Sequence, residues 1–207
     1  MPVVNKKVKK QTMQFQTEVE QLLSLLAKSV YSNKDIVLRE LVSNASDAID
    51  KLRYESKQNS ELLADSEGFK IWIDFDQKEK TLSIRDNGIG MSKEELVANL
   101  GTIARSGTAN YLKSLKDSGD NIDSLIGQFG VGFYSTFVIA DKVTVTTKRA
   151  SAQGESPCEW ESSGKGDYVI SPASDDTPVG TTVKLHLKSD MDNFLQDWYV
   201  RRIITTY

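Results

Sequence analysis

The sequence predicts a two-layer α+β sandwich, with helices packed on one face of a mostly antiparallel sheet. Apolar residues recur at helical spacing as far as Tyr54, and from Ile71 the spacing switches to an alternation of two. After Val143 come further short strand-like runs, with loops rich in Gly, Ser, Pro and Asp between them. One substantial core suits a chain of 207 residues that is 39% hydrophobic and 27% charged.

Residues 1–12 read as a mobile basic tail carrying Lys6, Lys7, Lys9 and Lys10, and residues 13–207 as a single domain. Phe15, Val19, Leu22, Leu23, Leu26 and Val30 fall at helical spacing and predict a first helix from about Gln14 to Tyr31. A second helix follows from Asp35 to Tyr54. Ser32 and Asp35 have the form of a capping box, and neither Gly nor Pro interrupts the next five turns. Leu38, Leu41, Ala45, Ile49 and Leu52 form its apolar stripe. Glu40, Asn44, Asp47 and Lys51 form a second, polar stripe. A solvated face with an Asp47/Lys51 ion pair accounts for most of that line. Asn44 fits less well, since Asn is a mediocre helix former and mid-helix suggests a task for its carbonyl oxygen.

Ile71, Ile73 and Phe75, then Leu82 and Ile84, alternate with polar neighbours and predict a hairpin turning through Gln77 to Lys80. Its second strand ends at Asp86-Asn87-Gly88-Ile89-Gly90-Met91, after which Ser92-x-x-Glu95 opens a helix through Leu96 and Leu100. Eight of the 13 glycines lie between Gly88 and Gly132, so residues 101–127 read as a mobile lid. Gly127-Gln128-Phe129-Gly130-Val131-Gly132 then leads into an apolar helix from Phe133 to Ile139. Strands are expected at 143–147, 159–161, 168–170 and 182–187. The final segment from Phe194 shows no stop signal, which suggests a cut at a domain boundary.

Several functions are excluded at this level. A net charge of −3 argues against nucleic acid as the main partner. One cysteine, Cys158, allows no internal disulfide and reads as an inert thiol, and with His186 alone it cannot build a structural zinc site. No stretch approaches the ~20 apolar residues of a membrane span or forms a signal-peptide core, so a cytoplasmic location is expected. Trp72, Trp160 and Trp198 read as hydrophobic anchors. His186, in an alternating run, reads as a strand-surface residue rather than a phospho-acceptor.

Asp86-x-Gly88-x-Gly90 fits a tight turn, and equally a pocket floor where a flat ligand approaches the backbone and the carboxylate accepts a hydrogen bond. Gly127-x-x-Gly130-x-Gly132 fits a linker, and equally a set of backbone N–H groups facing an anion. Taken in order with Glu40-x-x-x-Asn44-x-x-Asp47-Ala48, these motifs resemble the ATP-binding fold shared by DNA gyrase, histidine kinases, mismatch-repair ATPases and heat-shock chaperones, the GHKL-type ATPase superfamily. The stretches Leu38–Ala48, Asp86–Met91, Leu100–Ala104 and Gly127–Ser135 are most similar to the N-terminal domain of the heat-shock protein 90 chaperone family. Trp160-Glu161-Ser162, Gly180-Thr181 and Leu185–Lys188 extend the likeness over nearly the whole chain, and Asp197-Trp198 resembles the bacterial form.

That resemblance implies a Bergerat-type sheet of about eight strands and a set of roles. Asn44 would give its carbonyl oxygen to Mg²⁺, and Glu40 would act as general base on the water attacking the γ-phosphate of ATP. Asp86 would accept from the adenine amino group, helped by Thr181 through an ordered water and by the Gly90 backbone. Met91, Leu100 and Phe133 would form the apolar wall, and Asn99 would reach the ribose. The backbone of Gln128, Phe129, Gly130, Val131, Gly132 and Phe133 would cradle phosphates. Asp47, Lys51 and Arg105 complete the ATP/ADP-binding set, although the family usually carries Lys where Arg105 stands.

The resemblance further implies an ATP-dependent molecular chaperone of the stress response, driven by lid closure over ATP. Client proteins and co-chaperones would be its partners, and the full-length protein would be a homodimer through a C-terminal domain. The catalytic Arg would come from a middle domain, so this piece would hydrolyse ATP weakly. A nucleotide-gated interaction module without turnover is the competing reading.

Overall fold

A computed structural model of the chain describes residues 9–14, 33–63, 68–101, 132–151 and 154–206. Residues 15–31 of the first helix expected from about Gln14, residues 1–8 of the tail, and the lid beyond Gly101 lie outside these described residues, and Gln14 itself ends a strand. The helix α1, Asp35–Ser56, carries the predicted apolar stripe, and Ile36, Val37, Leu38, Leu41, Ala45, Ile49 and Leu52 are all buried. It starts at Asp35 as expected, but on a different cap. The N-cap is Lys34, with no side-chain capping bond, and Ser32 of the expected capping box lies outside the described residues. The Asp35 carboxylate instead accepts from Tyr199 Oη at 2.6 Å and from Arg202 Nη2 at 2.8 Å, so a tertiary contact has taken the group that a local cap would use.

Seven strands are paired among the described residues, close to the eight or so expected, and every pairing is antiparallel. They are β1 (Gln11–Gln14), β2 (Ile71–Asp76), β3 (Thr81–Asp86), β4 (Ala140–Lys148), β5 (Cys158–Ser162), β6 (Asp167–Pro172) and β7 (Gly180–Leu187). The spatial order is β1-β6-β5-β4-β7-β3-β2. The β2–β3 hairpin pairs Ile73 with Ile84 and Phe75 with Leu82. Its turn is held where Asp76 Oδ1 accepts from the N–H groups of Lys78 and Glu79, at 2.8 and 3.0 Å. β1 corrects the tail boundary: Gln11 and Thr12 pair with Ile170 and Val169 at the sheet edge, where backbone hydrogen bonding orders a polar segment that apolar periodicity cannot reveal.

Two short helices follow the hairpin. In α2 (Lys93–Leu96), which continues as a π-helical turn through Gly101, the Ser92–Glu95 capping box forms with both bonds present. A 3₁₀ turn, Gly132–Ser135, leads into α3 (Thr136–Ile139), so the apolar helix expected from Phe133 is split between two helical forms. The chain closes with α4 (Asp197–Thr206).

Leu38 and Leu41 of α1 share one core with Leu82 and Ile84 of β3, Val143 and Val145 of β4 and Leu185 of β7. Each such fully buried side chain contributes roughly 1.5–3 kcal/mol. Trp160 is the anchor expected: it is fully buried, edge-on to Phe133 at 5.6 Å and stacked on Tyr168 at 5.9 Å. Trp72 is half-buried, with the Arg85 guanidinium 4.0 Å over its ring. Trp198 is no core anchor here. It is 63% exposed, because Val200 and Ile203 occupy the buried side of α4. Cys158 is buried and desolvation pushes its thiol up to about 11, consistent with an inert group. His186 is part-exposed in β7, as expected for a strand-surface residue.

Candidate functional site

Between α1 and the sheet lies a cavity of about 390 Å³. Its α1 wall alternates the two stripes of that helix: Leu41 and Ala45 from the apolar side, Asn44, Asp47 and Lys51 from the polar side, with Ala48 between them. The two alanines leave the room that larger side chains would fill. Ile84, Val145 and Val183 form the sheet wall, and Met91, Leu100 and Phe133 complete an apolar enclosure. This is the character of a small-molecule site, apolar with a few placed polar groups.

Asp86, Thr181 and Gly90 supply the polar floor. Asp86 ends β3 because the chain turns at Asn87, whose side chain accepts from Lys70 N–H at 2.7 Å and donates to Gly68 O at 2.6 Å. Gly88 N–H donates to Asp86 Oδ1 at 2.8 Å. Burial raises the Asp86 carboxyl to about 6, against the opposing pull of the Gly88 and Thr181 backbone N–H groups.

The glycines of this turn serve the protein's own packing first. A Cβ on Gly88 would stand 2.5 Å from the Ala48 carbonyl carbon of α1, and one on Gly90, at φ +64°, would collide with the Lys148 carbonyl oxygen. Close approach of two backbones, rather than of a flat ligand, therefore requires them. Ile89 N–H donates to Ala48 O at 3.0 Å and Ala150 N–H to Ile89 O at 2.8 Å, so the turn is riveted to α1 and to the end of β4.

Thr147, which belongs to no sequence motif, organises the floor. Its hydroxyl donates to Gly180 O at 3.0 Å, accepts from Met91 N–H at 3.0 Å, and lies 3.0 Å from the Thr181 hydroxyl. Its single proton is spent on Gly180, so Thr181 donates to Thr147 and offers lone pairs to the cavity. Asp86 and Thr181 are thus both acceptors, and they select a ligand edge that carries N–H donors. Thr147 sits in an ordinary Thr-rich strand, so only the pairing of β4 with β7 identifies it.

Glu40 is not on the cavity wall but lies one turn before Asn44 on α1. Its side chain is 13% exposed, and Arg39 Nη2 donates to it at 3.3 Å. Gly132 packs against it: a Cβ there would collide with Glu40 Oε2 and stand 3.1 Å from its Cδ. The glycine motif thus brings its last member onto the acid, while Arg105, Gln128, Phe129, Gly130 and Val131 lie outside the described residues. Asn99 lines the cavity, its Nδ2 3.6 Å from Met91 Sδ. Glu95, legible in the sequence only as a capping residue, also lines it.

Asn44 lines the cavity, and its neutral amide oxygen is a donor type that suits a hard cation sharing oxygens with phosphates and water. No cluster of three His, Cys, Asp or Glu side chains able to hold a metal occurs among the described residues. None of the described helices is long and apolar enough to cross a membrane.

The family profile described as histidine kinase-, DNA gyrase B-, and HSP90-like ATPase matches residues 31–184. The chain is 51% identical over 197 residues to the chaperone protein HtpG of Hydrogenovibrio crunogenus and to that of Coxiella burnetii, covering 95% of this chain and 31% of each relative. To the chaperone protein HtpG of Legionella pneumophila it is 52% identical over 199 residues, 96% of this chain and 32% of the relative. The chain thus spans about a third of the length of these curated relatives. The matched span contains α1, the Asp86 turn and Thr181, and the chain belongs to the family of histidine kinase-, DNA gyrase B- and HSP90-like ATPases.

Proposed function

We propose that this chain is the N-terminal nucleotide-binding domain of a longer ATP-dependent molecular chaperone, binding ATP and ADP with Mg²⁺ and hydrolysing ATP in the context of the whole protein. The observation that carries the reading is the Asp86–Thr181 acceptor pair on the floor of an apolar cavity, with Asn44, Asp47 and Lys51 along one rim. An adenine amino group supplies the donor this floor selects. The ring fills the space beside Ala45, Ala48, Met91 and Phe133, and the ribose reaches Asn99.

Phosphates then run toward Asn44 and Gly132. Asn44 would hold Mg²⁺, which when bound neutralises charge on the phosphate oxygens. Glu40 takes the proton from a water as its oxygen bonds to the γ-phosphorus, and the bond from that phosphorus to the ADP oxygen breaks. Gly132 leaves the space in which the Glu40 carboxylate sits. Lys51, Arg105 and the backbone of Gln128–Val131 are further phosphate contacts in this reading, and a lid at 101–127 closes over ATP to drive the chaperone cycle. A cytoplasmic location, unfolded clients, co-chaperones and a full-length homodimer belong to the same proposal.

Calorimetric titration of adenosine, MgADP and MgATP into this chain tests it. One saturable site for each is expected, with turnover well below that of the longer protein carrying the following domain. Absence of binding by all three overturns the reading. Nucleotide binding without turnover in the longer protein, with no property changed by Glu40→Ala, would favour the nucleotide-gated module instead.

A further inference from the structure

A four-residue charge cluster adjoins the cavity, and its centre, Arg149, belongs to none of the motifs. It lies just past β4, on the backbone against which Gly90 is packed. Arg149 Nη1 donates to both carboxylate oxygens of Glu95, at 2.8 and 3.0 Å. Its Nη2 donates to both oxygens of Glu55, at 3.3 and 3.0 Å. One guanidinium therefore spans α2 and the last turn of α1 in the two-pronged geometry that only Arg offers. Glu95 also accepts from Ser92 N–H at 2.9 Å, and its Oε1 stands 3.9 Å from Lys51 Nζ. Both Glu95 and Lys51 line the cavity.

The charges are two cations against two carboxylates. Arg149, 21% exposed, makes the short contacts, while Lys51, 53% exposed, has only the long one among the described residues. Without Arg149, Glu95 and Glu55 would stand uncompensated beside the rim, and Lys51, one turn before Glu55, would be drawn onto them.

We propose that Arg149 is a positioning residue of the nucleotide site: it neutralises Glu95 and Glu55, leaving the Lys51 ammonium available to the anionic part of the ligand. This rests on the nucleotide-binding reading above. The dependence is on charge, so it grows with the number of phosphates and is screened by salt.

The test is calorimetry of adenosine, MgADP and MgATP with Arg149→Gln, Arg149→Lys and the double variant Arg149→Gln/Glu95→Gln, at low and high salt, with thermal melts alongside. Gln at 95 keeps the capping box, since its amide oxygen still accepts from Ser92. Arg149→Gln is expected to weaken MgATP roughly tenfold at low salt, MgADP less, and adenosine under about twofold, with the losses shrinking in salt. The double variant regains most of the loss, and Arg149→Lys, which keeps the charge, loses less than Arg149→Gln. Should Arg149→Gln unfold, the comparison of Arg149→Lys with the double variant carries the same charge-dependent ordering. Parent-like binding by Arg149→Gln, or an equal loss for adenosine and MgATP, overturns the proposal while leaving the nucleotide reading intact. Failure of the parent to bind any of the three removes that reading, and this one with it.

Discussion

Replacing Asp86 by Asn separates binding from stability, because the two should move in opposite directions. In the parent, Gly88 N–H takes one lone pair on Oδ1 and the rest of the carboxylate is an acceptor. In Asp86→Asn the amide oxygen must serve Gly88, so the NH₂ replaces the second oxygen and points a donor at the ligand's donor. Losing a hydrogen bond to a charged acceptor costs about 1.5–3 kcal/mol, and the unpaired donors add to it, so adenosine and ADP affinity should fall by at least ~100-fold. Stability should rise. The folded carboxyl is raised from 3.8 to about 6, so ionisation opposes folding at neutral pH, and the stability forgone is present below the unfolded value and lost as pH rises through about 6. The shift corresponds to about 3 kcal/mol, less roughly 1 kcal/mol for the buried NH₂. The variant should therefore melt about 4–8 °C above the ligand-free parent at pH 8, and the advantage should vanish below pH 4. Melting curves across that range and calorimetry at pH 7.5 read both effects. Retained affinity within threefold would refute the assignment of the floor, and a lower melting temperature at pH 8 would refute the account of its desolvation.

Three further substitutions probe the catalytic side and the frame. Glu40→Gln in the longer protein should keep ADP affinity within about threefold and lose turnover by roughly 10²–10⁴, as steady-state phosphate release would measure. Gly132→Ala drives a methyl group into the space of the Glu40 carboxylate, so turnover should fall on the order of 100-fold, by more than the change in ADP affinity. Tyr134 Oη donates to the Leu100 carbonyl at 3.0 Å in a buried setting, so Tyr134→Phe should cost about 1–3 kcal/mol in denaturant unfolding with nucleotide affinity changed little.

Periodicity alone placed α1 to within two residues, the β2–β3 hairpin and its turn, the Ser92–Glu95 capping box and the strands now numbered β4 to β7, because each is decided by neighbours in the chain. The same local logic found the two stripes of α1 and therefore Asn44, Asp47 and Lys51 on one line, together with Asp86 at a strand end. What it could not supply was anything owed to a partner distant in sequence. α1 takes Lys34 as its N-cap with no capping side chain, and Asp35 is bound by Tyr199 and Arg202 more than 160 residues away. β1 is a strand only because β6 offers it an edge, and Trp198 is exposed because α4 turns Val200 and Ile203 inward. Gly88 and Gly90 looked equally suited to a turn or a ligand, and the backbones of α1 and β4 filling their Cβ space decided it. Thr147, Glu95 and Arg149 are ordinary residues in the sequence. They acquire their tasks when β4, β7, α1 and α2 converge, since a hydrogen bond of about 3 Å depends on position in space and not on spacing along the chain.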